Sequence, residues 1–282
     1  MPFTWQSAIA YAQLVNIAYQ VDPAAPYSPG VIDQIAQAGY TFIDSLHGND
    51  LASDAHIPFA LPVTYGFVAR SAAGELVAAI RGTAHTGAAG IFEWAHDFSF
   101  GTVANPIRGG AGQTEDGFTS VYSSLTLGAG LGAPSAAAAM AGLYAAGAIN
   151  PITIAGHSLG GALTSLLALD LALNGGIPRA PAAYTFASPS VGLAADFVPF
   201  YSHWVPESYR VFNRNDLVPY LPGGFYGSVG SDWPLSAPFG TISPDPVCQH
   251  ILDTYLWLLG RQAGGNNLPL DNACRGLVYP GP

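Results

Sequence analysis

A serine flanked by glycines stands where a predicted strand meets a predicted helix. Residues 151–166 read PITIAGHSLGGALTSL, in which a β-branched run leads into the pattern Gly-x-Ser-x-Gly around Ser158. Such a turn holds the serine in a strained conformation that exposes its hydroxyl, and glycines are needed because a Cβ would collide with neighbouring elements. The following helix directs free N–H groups at the same place, where they can stabilise negative charge. The pattern predicts a nucleophile at Ser158; the alternative is a small residue in a tight turn.

A serine nucleophile needs two partners. The hydroxyl is weakly nucleophilic at neutral pH unless a histidine takes its proton and a buried carboxylate orients that histidine. When such a turn carries a catalytic serine, the acid and then the histidine follow it in loops after later strands. Asp216 directly follows the predicted strand 208–214, and His250 is the one histidine after Asp216, at the start of an apolar helix. His203 precedes that strand and is expected to be a surface or packed residue. We therefore expect Ser158, Asp216 and His250 to form a catalytic triad.

The end of another strand could help to bind negative charge. The predicted strand 75–81 ends in Arg-Gly-Thr, so the backbone N–H of Thr83 can face a reacting carbonyl group. The segment 84–98 follows, and it mixes small residues with large apolar ones, Ile91, Phe92 and Trp94. It is predicted either to be a short mobile lid over the site or to be a surface loop with a buried tryptophan.

Helical and strand patterns alternate along the chain. Helices are predicted at 4–20, from Pro29 with Ser28 as cap, from 116, from 135 and at 159–173; strands are predicted at 40–46, 64–70, 75–81, 182–190 and 208–214. This alternation predicts an α/β fold with a largely parallel sheet covered by helices on both faces. Nothing suggests a second core, so one domain over residues 1–282 is expected.

Composition excludes several classes of function. The net charge is −10, and the eight basic residues are all arginines, which argues against nucleic acid and anionic membranes as partners. No apolar run reaches the roughly 18 residues of a membrane span, and the longest, 136–149, is expected to be a buried helix. No spacing of ligand residues predicts a metal site, and no cofactor is expected.

Compartment and oligomeric state are left open by the sequence. Cys248 and Cys274 could form one disulfide closing a loop of about 25 residues or remain two buried thiols. The first twenty residues have no basic region ahead of an apolar core and are not predicted to be a signal peptide. An extracellular location is preferred over the alternative, a cytoplasmic one.

Together these motifs resemble the class 3 lipase family, the fungal-type triacylglycerol lipases and their bacterial and plant relatives. The resemblance runs from about residue 60 to 258 and rests on IRGT at 80–83, Trp94 with Asp97, DGF at 116–118, GHSLGGA at 156–162, and TFASPSVG through NDLVPYLP at 185–222. It implies the α/β-hydrolase fold, with 84–98 as a lid segment. Where relatives often carry histidines, this chain has Glu115 before the Gly-Phe pair and Ser228 before a Val-Gly pair.

The resemblance also implies residue roles. It matches Ser158 to the nucleophile, Asp216 to the triad acid and His250 to the general base. The oxyanion hole would consist of the backbone N–H groups of Thr83 and Leu159, with the Thr83 hydroxyl. The remaining matches are to residues of the lid and its surroundings: Trp94 with Ile91 and Phe92 in the lid, and Asp97 as a brace of the oxyanion loop.

The function implied is that of a serine carboxylic ester hydrolase that works through an acyl-enzyme. A triacylglycerol at a lipid–water interface is the preferred substrate. The alternatives in the same class are short-chain, aryl or feruloyl esters, or phospholipids cleaved by a phospholipase A1. From a different class, the alternative is a catalytically silent protein of this fold that binds acyl ligands.

Overall fold

The computed structural model describes residues 2–21, 28–49, 63–83, 101–147, 151–265 and 268–278. Its helices are α1 (Trp5–Tyr19), α2 (Pro29–Gln37), α3 (Asp116–Ser123), α4 (Ala136–Ala145), α5 (Leu159–Asn174), α6 (Phe197–Trp204), α7 (Pro246–His250) and α8 (Leu252–Gln262). Its strands are β1 (Tyr40–Gly48), β2 (Val63–Ser71), β3 (Leu76–Ile80), β4 (Thr102–Ala104), β5 (Gln113–Glu115), β6 (Thr126–Leu127), β7 (Ile152–His157), β8 (Ala182–Phe186), β9 (Gly192–Leu193), β10 (Ser208–Asn213), β11 (Tyr226–Gly227) and β12 (Ser231–Leu235).

The larger of two sheets has the strand order β12-β10-β8-β7-β3-β2-β1-β6. The strands from β12 to β3 in this order run parallel, and β2, β1 and β6 extend the sheet through antiparallel pairings. Because the carboxyl ends of parallel strands meet at one edge, the ends of β3, β7, β8 and β10 lie along the same edge. We call this edge the carboxyl edge; the residues after Ile80, His157 and Asn213 emerge from it.

Helices cover both faces of this sheet. α1 and α8 pack on one face, and α3, α4 and α5 pack on the other. The consecutive residues Val77 and Ala78 of β3 belong to opposite hydrophobic clusters, as the alternation of side chains in a strand requires. All residues of β3 and β7 are buried, which explains why these strands appear in the sequence as continuous apolar runs. A mostly parallel sheet between helices is the α/β architecture that the sequence predicts.

Several features differ from the sequence-based predictions. The helix expected to be buried over 136–149 ends at Ala145, and of its residues only Ala136, Ala137 and Met140 are buried. The strand predicted at 182–190 ends at Phe186, because Ala187 adopts a φ of 53° that no strand accommodates. The helix predicted around His250 is divided into α7 and α8, because Ile251 has an extended ψ of 145°. The smaller sheet, with the order β11-β9-β5-β4, is not predicted at all. Its strands span only two or three residues, too few to carry a period of two.

Other predictions stay predictions. The lid segment 84–98 lies outside the described residues, as do Ile91, Phe92, Trp94 and Asp97. The single domain over 1–282 also stays a prediction. Among the helices that the structure describes, none is long and apolar enough to cross a membrane.

A disulfide joins Cys248 of α7 to Cys274 and so settles the alternative that the sequence left open. The two residues are 26 positions apart, and a crosslink of this span is expected to stabilise the fold by about 3 kcal/mol, mainly by restricting the unfolded chain. The double variant Cys248→Ser with Cys274→Ser should therefore unfold at a lower urea concentration than the oxidised wild type. Reduced wild type is the control, since it should behave like the double variant. An unchanged midpoint for both would contradict the prediction.

Candidate active site

Ser158 occupies the turn between β7 and α5 with a positive φ of 58°. The two glycines of the motif have no room for a side chain. A Cβ on Gly156 would lie 2.1 Å from the carbonyl oxygen of Gly160, and one on Gly160 would lie 2.3 Å from that of Ile80. Real Cβ atoms do not approach other atoms so closely, so both positions require glycine. The turn thus places the hydroxyl of Ser158 at the carboxyl edge, as the sequence predicts.

The structure brings Ser158, His250 and Asp216 together. Nε2 of His250 lies 2.9 Å from Oγ of Ser158, and Nδ1 of the same ring lies 2.8 Å from Oδ2 of Asp216. Because an ionised carboxylate can only accept, Nδ1 carries the ring proton and Nε2 is free to accept the serine hydroxyl. Both His250 and Asp216 are almost completely buried, at 2% and 1% exposure. A short connected path for a proton therefore runs from the serine to the histidine.

Asp216 has two further hydrogen-bond donors. The hydroxyl of Tyr255 donates to Oδ2 at 2.7 Å, and the backbone N–H of Val218 donates to Oδ1 at 3.0 Å. Burial, followed by the charge of Asp216, raises the pKa of Tyr255 well above its ordinary value, so this phenol remains a donor. The sequence analysis did not assign Tyr255 a role at the site. In sequence it is indistinguishable from the other apolar-face residues of α8.

The backbone at Gly82 and Thr83 lies against the serine. A Cβ on Gly82 would lie 2.9 Å from Cβ of Ser158, so the loop after β3 directly contacts the turn. The hydroxyl of Thr83 is buried and has no hydrogen-bond partner among the described residues. Leu159 is the first residue of α5, where N–H groups have no partner within the helix. Leu159 directly follows Ser158, and Thr83 directly follows Gly82, so the role of both residues in an oxyanion hole stays a prediction.

Arg81 holds this loop in place, a role that the sequence analysis missed. Its guanidinium is 3% exposed and donates to the carbonyl oxygens of Thr64, at 2.9 Å, and Gly82, at 2.7 Å. It also lies over the ring of Tyr65, 5.7 Å from the centroid. The arginine therefore links β2 to the loop after β3. Its position directly before that loop is the only signal in the sequence that could have indicated this role.

Glu115 is a buried residue at the end of β5, in the smaller sheet. Its Oε2 accepts the backbone N–H of Phe118 at 2.7 Å and caps α3, whereas Oε1 has no partner among the described residues. Burial raises the pKa of Glu115 to about 7, although the N–H bonds of Phe118 and Gly117 oppose the shift. The carboxyl group is therefore protonated in the folded chain at pH values where it is ionised in the unfolded chain.

This shift makes the stability depend on pH. A pKa that is raised in the folded state stabilises the protein below the unfolded value of about 4.5, and this contribution is lost as the pH rises to about 7. Relative to Glu115→Gln, the wild type should lose about 1.4 kcal/mol of unfolding free energy for each pH unit in that window. Urea titrations at several pH values would measure it, with the exposed Asp116→Asn as control. Parallel pH profiles for wild type and Glu115→Gln would disprove the assignment.

The described residues contain no group of three or more His, Cys, Asp or Glu side chains placed to hold a metal ion. Ile91, Phe92, Trp94 and Asp97 fall outside the described residues, so their places in a lid or beside the oxyanion loop stay predictions.

Comparison with known proteins finds relatives that are similar in sequence to parts of this chain. The family described as Lipase (class 3) matches residues 77–226. Phospholipase A1-II 3 of Oryza sativa subsp. japonica is 33% identical over 225 residues, which cover 71% of this chain and 52% of the relative. Phospholipase A1-IIgamma of Arabidopsis thaliana is 34% identical over 133 residues, covering 42% of this chain and 31% of the relative. The chain spans about half the length of the rice relative that it matches.

Solved structures of fungal lipases have the same fold. A lipase from Rhizopus microsporus var. chinensis superimposes with a TM-score of 0.61 at 22% identity, over 82% of this chain and 74% of that one. The Lip2 lipase from Yarrowia lipolytica gives a TM-score of 0.61 at 20% identity, over 95% and 90%. At this identity the likeness shows the α/β-hydrolase fold alone. Since the family match extends over more than half of the residues, the chain belongs to the class 3 lipase family.

Proposed function

We propose that the chain is a serine carboxylic ester hydrolase that acts through an acyl-enzyme. One observation carries the proposal: Oγ of Ser158 lies within hydrogen-bonding distance of Nε2 of His250, while a buried carboxylate, Asp216, holds Nδ1 of the same ring. This arrangement is what the activation of a serine hydroxyl requires. Membership of the class 3 lipase family supports the same reaction class.

In the first half of the reaction, Oγ of Ser158 attacks the carbonyl carbon of the ester while its proton passes to Nε2 of His250. The former carbonyl oxygen takes up the negative charge, and the N–H groups of Thr83 and Leu159 and the Thr83 hydroxyl would stabilise it. The tetrahedral intermediate then collapses, the bond to the alcohol oxygen breaks, and His250 returns its proton to that oxygen. The alcohol leaves, and the acyl group stays on Ser158.

In the second half, water attacks the acyl carbon and gives its proton to Nε2 of His250. Collapse of the second tetrahedral intermediate returns the proton to Oγ of Ser158 and releases the carboxylic acid. Asp216 stabilises the imidazolium that exists in each half and keeps the ring in the tautomer that can accept. The residues therefore return to their starting protonation states after each cycle.

A fluorophosphonate probe tests whether the serine is active. The wild type should become labelled at Ser158, because the probe needs an activated hydroxyl and an oxyanion site but no particular acyl chain. A folded wild type that resists labelling under all conditions would instead support a catalytically silent protein that binds acyl ligands.

We infer that the acyl substrate is a triacylglycerol presented at a lipid surface. The loop after Asp216 exposes three large apolar side chains at the carboxyl edge: Leu217 at 54%, Tyr220 at 50% and Phe225 at 87%. Apolar side chains exposed together beside a reaction centre favour a partner that is itself apolar. The net charge of −10 favours a neutral lipid surface over an anionic one.

A pair of surface variants tests this inference. Phe225→Ser should lower the rate on tributyrin emulsions roughly 10-fold, because a large apolar contact with the droplet is lost. Its rate on dissolved p-nitrophenyl acetate should stay the same. The control is Leu131→Ser, since Leu131 is also a fully exposed large apolar residue but lies in the loop between β6 and α4. Equal effects of both variants, or a wild-type rate that saturates below the solubility of tributyrin, would favour an esterase for soluble esters.

Phospholipids are the second candidate substrate, because the rice and Arabidopsis relatives are phospholipases A1 by name. Release of fatty acid from the sn-1 position of phosphatidylcholine vesicles, at a higher rate than from tributyrin, would decide in favour of that activity. Hydrolysis of tributyrin alone would decide for the triacylglycerol.

A further inference from the structure

His157 occupies the variable position between Gly156 and Ser158 and is linked to two distant parts of the chain. Its ring is buried, with 3% of its surface exposed. Nδ1 lies 2.7 Å from the hydroxyl of Tyr19 in α1, and Nε2 lies 2.8 Å from the backbone carbonyl oxygen of His250. The residue next to the proposed nucleophile thus contacts the main chain of the proposed base.

The proton positions in this chain of hydrogen bonds follow from its two ends. The backbone N–H of Gly82 donates to the hydroxyl oxygen of Tyr19 at 2.9 Å, which leaves the phenol proton for Nδ1 of His157. The carbonyl oxygen of His250 can only accept, so Nε2 of His157 must donate. His157 is therefore a neutral ring in one tautomer, with Nδ1 as acceptor and Nε2 as donor.

The surroundings keep His157 neutral. Burial, and then the neighbouring His250, lower the pKa of His157 well below its ordinary value. The two ring centroids are 4.9 Å apart. His250 has to carry a positive charge during ester hydrolysis, and a second cation at this distance would oppose that charge. A neutral donor in this place can hold His250 through its main chain without competing for its proton.

The main chain around His250 needs such donors. α7 has only five residues, and the last carbonyl groups of a helix have no partner within it. Three consecutive carbonyl oxygens there accept side-chain donors: that of Cys248 from Thr254, at 2.6 Å, that of Gln249 from Asn213, at 2.9 Å, and that of His250 from His157. Of these three bonds, the one from His157 begins in the turn that carries Ser158.

We propose that His157 is a positioning residue that fixes the distance between His250 and Ser158 and, through Tyr19, keeps the oxyanion loop at Gly82 in register with them. The inference rests on the proposed ester hydrolase function. His157 takes no part in proton transfer. It joins the base, the nucleophile and the oxyanion loop, which come from separate parts of the sequence, through one ring.

Two amide variants separate the two hydrogen bonds of the ring. In His157→Gln the terminal N–H₂ stands as many bonds from Cβ as Nε2 does, so it can still donate to the carbonyl of His250. In His157→Asn the amide oxygen stands where Nδ1 was, so only the bond from Tyr19 can be kept. On p-nitrophenyl butyrate, His157→Asn should lower kcat about 100-fold with little change in KM, because a small misplacement of reacting groups has an effect of this size. His157→Gln should recover most of that loss.

Fluorophosphonate labelling of Ser158 is the second readout, since it depends on the base and the oxyanion site and not on ester binding. The labelling rate should fall far more in His157→Asn than in His157→Gln. If His157→Asn does not fold, Tyr19→Phe is a milder variant that removes only the bond from Tyr19. We expect Tyr19→Phe to lower kcat about 10-fold with KM unchanged. Thr119→Val is the matched control. It removes a buried side-chain bond to the carbonyl of Glu115, at 2.7 Å in α3, and should lower stability without the selective loss of kcat.

The outcomes are distinct. Equal kcat values for the folded Gln and Asn variants, or a loss in Thr119→Val as large as in His157→Asn, would reduce His157 to a packing residue and overturn the proposal. An unaffected Tyr19→Phe would remove the link to the oxyanion loop. If the wild type neither hydrolyses the ester nor becomes labelled, the proposed function itself fails, a result that differs from all of these.

Discussion

Ser158→Ala is expected to lower kcat for ester hydrolysis by about 10⁶-fold. The variant keeps His250, Asp216 and the oxyanion donors, but it has no atom that can form the acyl-enzyme. The remaining rate would come from direct attack by water, assisted by the donors around Thr83, and should still exceed the uncatalysed rate. Hydrolysis of p-nitrophenyl butyrate, measured to the limit of the background rate, tests the prediction.

Ser165→Ala is the matched control for this experiment. Ser165 is also a buried serine of the same region, in α5, and its hydroxyl donates to the carbonyl of Gly161 at 3.1 Å. Its loss should leave kcat nearly unchanged. An undiminished rate in Ser158→Ala would end the case for a serine mechanism, and an equal collapse in Ser165→Ala would point to a folding defect.

A second large effect is expected for Asp216→Asn, with a loss in kcat of about 10⁴-fold. The reason lies in the donors that converge on the carboxylate. If the amide nitrogen takes the place of Oδ2, it donates to Nδ1 of His250, and the ring proton must move to Nε2, which can then no longer accept from Ser158. If the nitrogen takes the place of Oδ1 instead, two donors meet at the N–H of Val218.

Asp232→Asn is the control for this substitution. Its carboxylate is largely exposed and pairs with Arg210 at 3.0 Å, and it makes no contact with Asp216 or His250 among the described hydrogen bonds. It should retain kcat within about 3-fold, as expected for a surface ion pair. With the amide nitrogen in the place of Oδ2, Asp216→Asn changes the tautomer of the His250 ring but not the binding of the ester. The KM of Asp216→Asn should therefore change little. A loss that appears in KM alone would contradict the role given to Asp216.

Much of the reaction centre could be predicted because it depends on local sequence. The turn at Ser158 needs glycines on both sides for steric reasons, and the order of elements along a parallel sheet limits where Asp216 and His250 can lie. The partners of these residues could not be predicted in the same way. Tyr19 lies in a helix near the start of the chain, and nothing around it indicates that its hydroxyl would meet Gly82 and His157.

The parts of the fold that could not be predicted from the sequence also depend on contacts between distant residues. The strands of the smaller sheet are too short to show the alternation of apolar and polar residues that predicts a strand. They pair only because the folded chain brings β5, β9 and β11 together. The disulfide could not be chosen from spacing alone, because loop length says little about whether two cysteines approach each other. The division between α7 and α8 depends on the extended backbone of a single residue, Ile251. Isoleucine also occurs within helices, so the sequence does not indicate a break at this residue.

The parallel arrangement of β3, β7, β8 and β10 has a consequence for how the chain acquires activity. Each of these strands pairs with a neighbour far away in sequence, and such long-range pairings form slowly during folding. Ser158 and His250 meet only after the segment beyond β12 has docked. A nascent or half-refolded molecule should therefore be inert towards esters, and hydrolytic competence should arrive in a single late step.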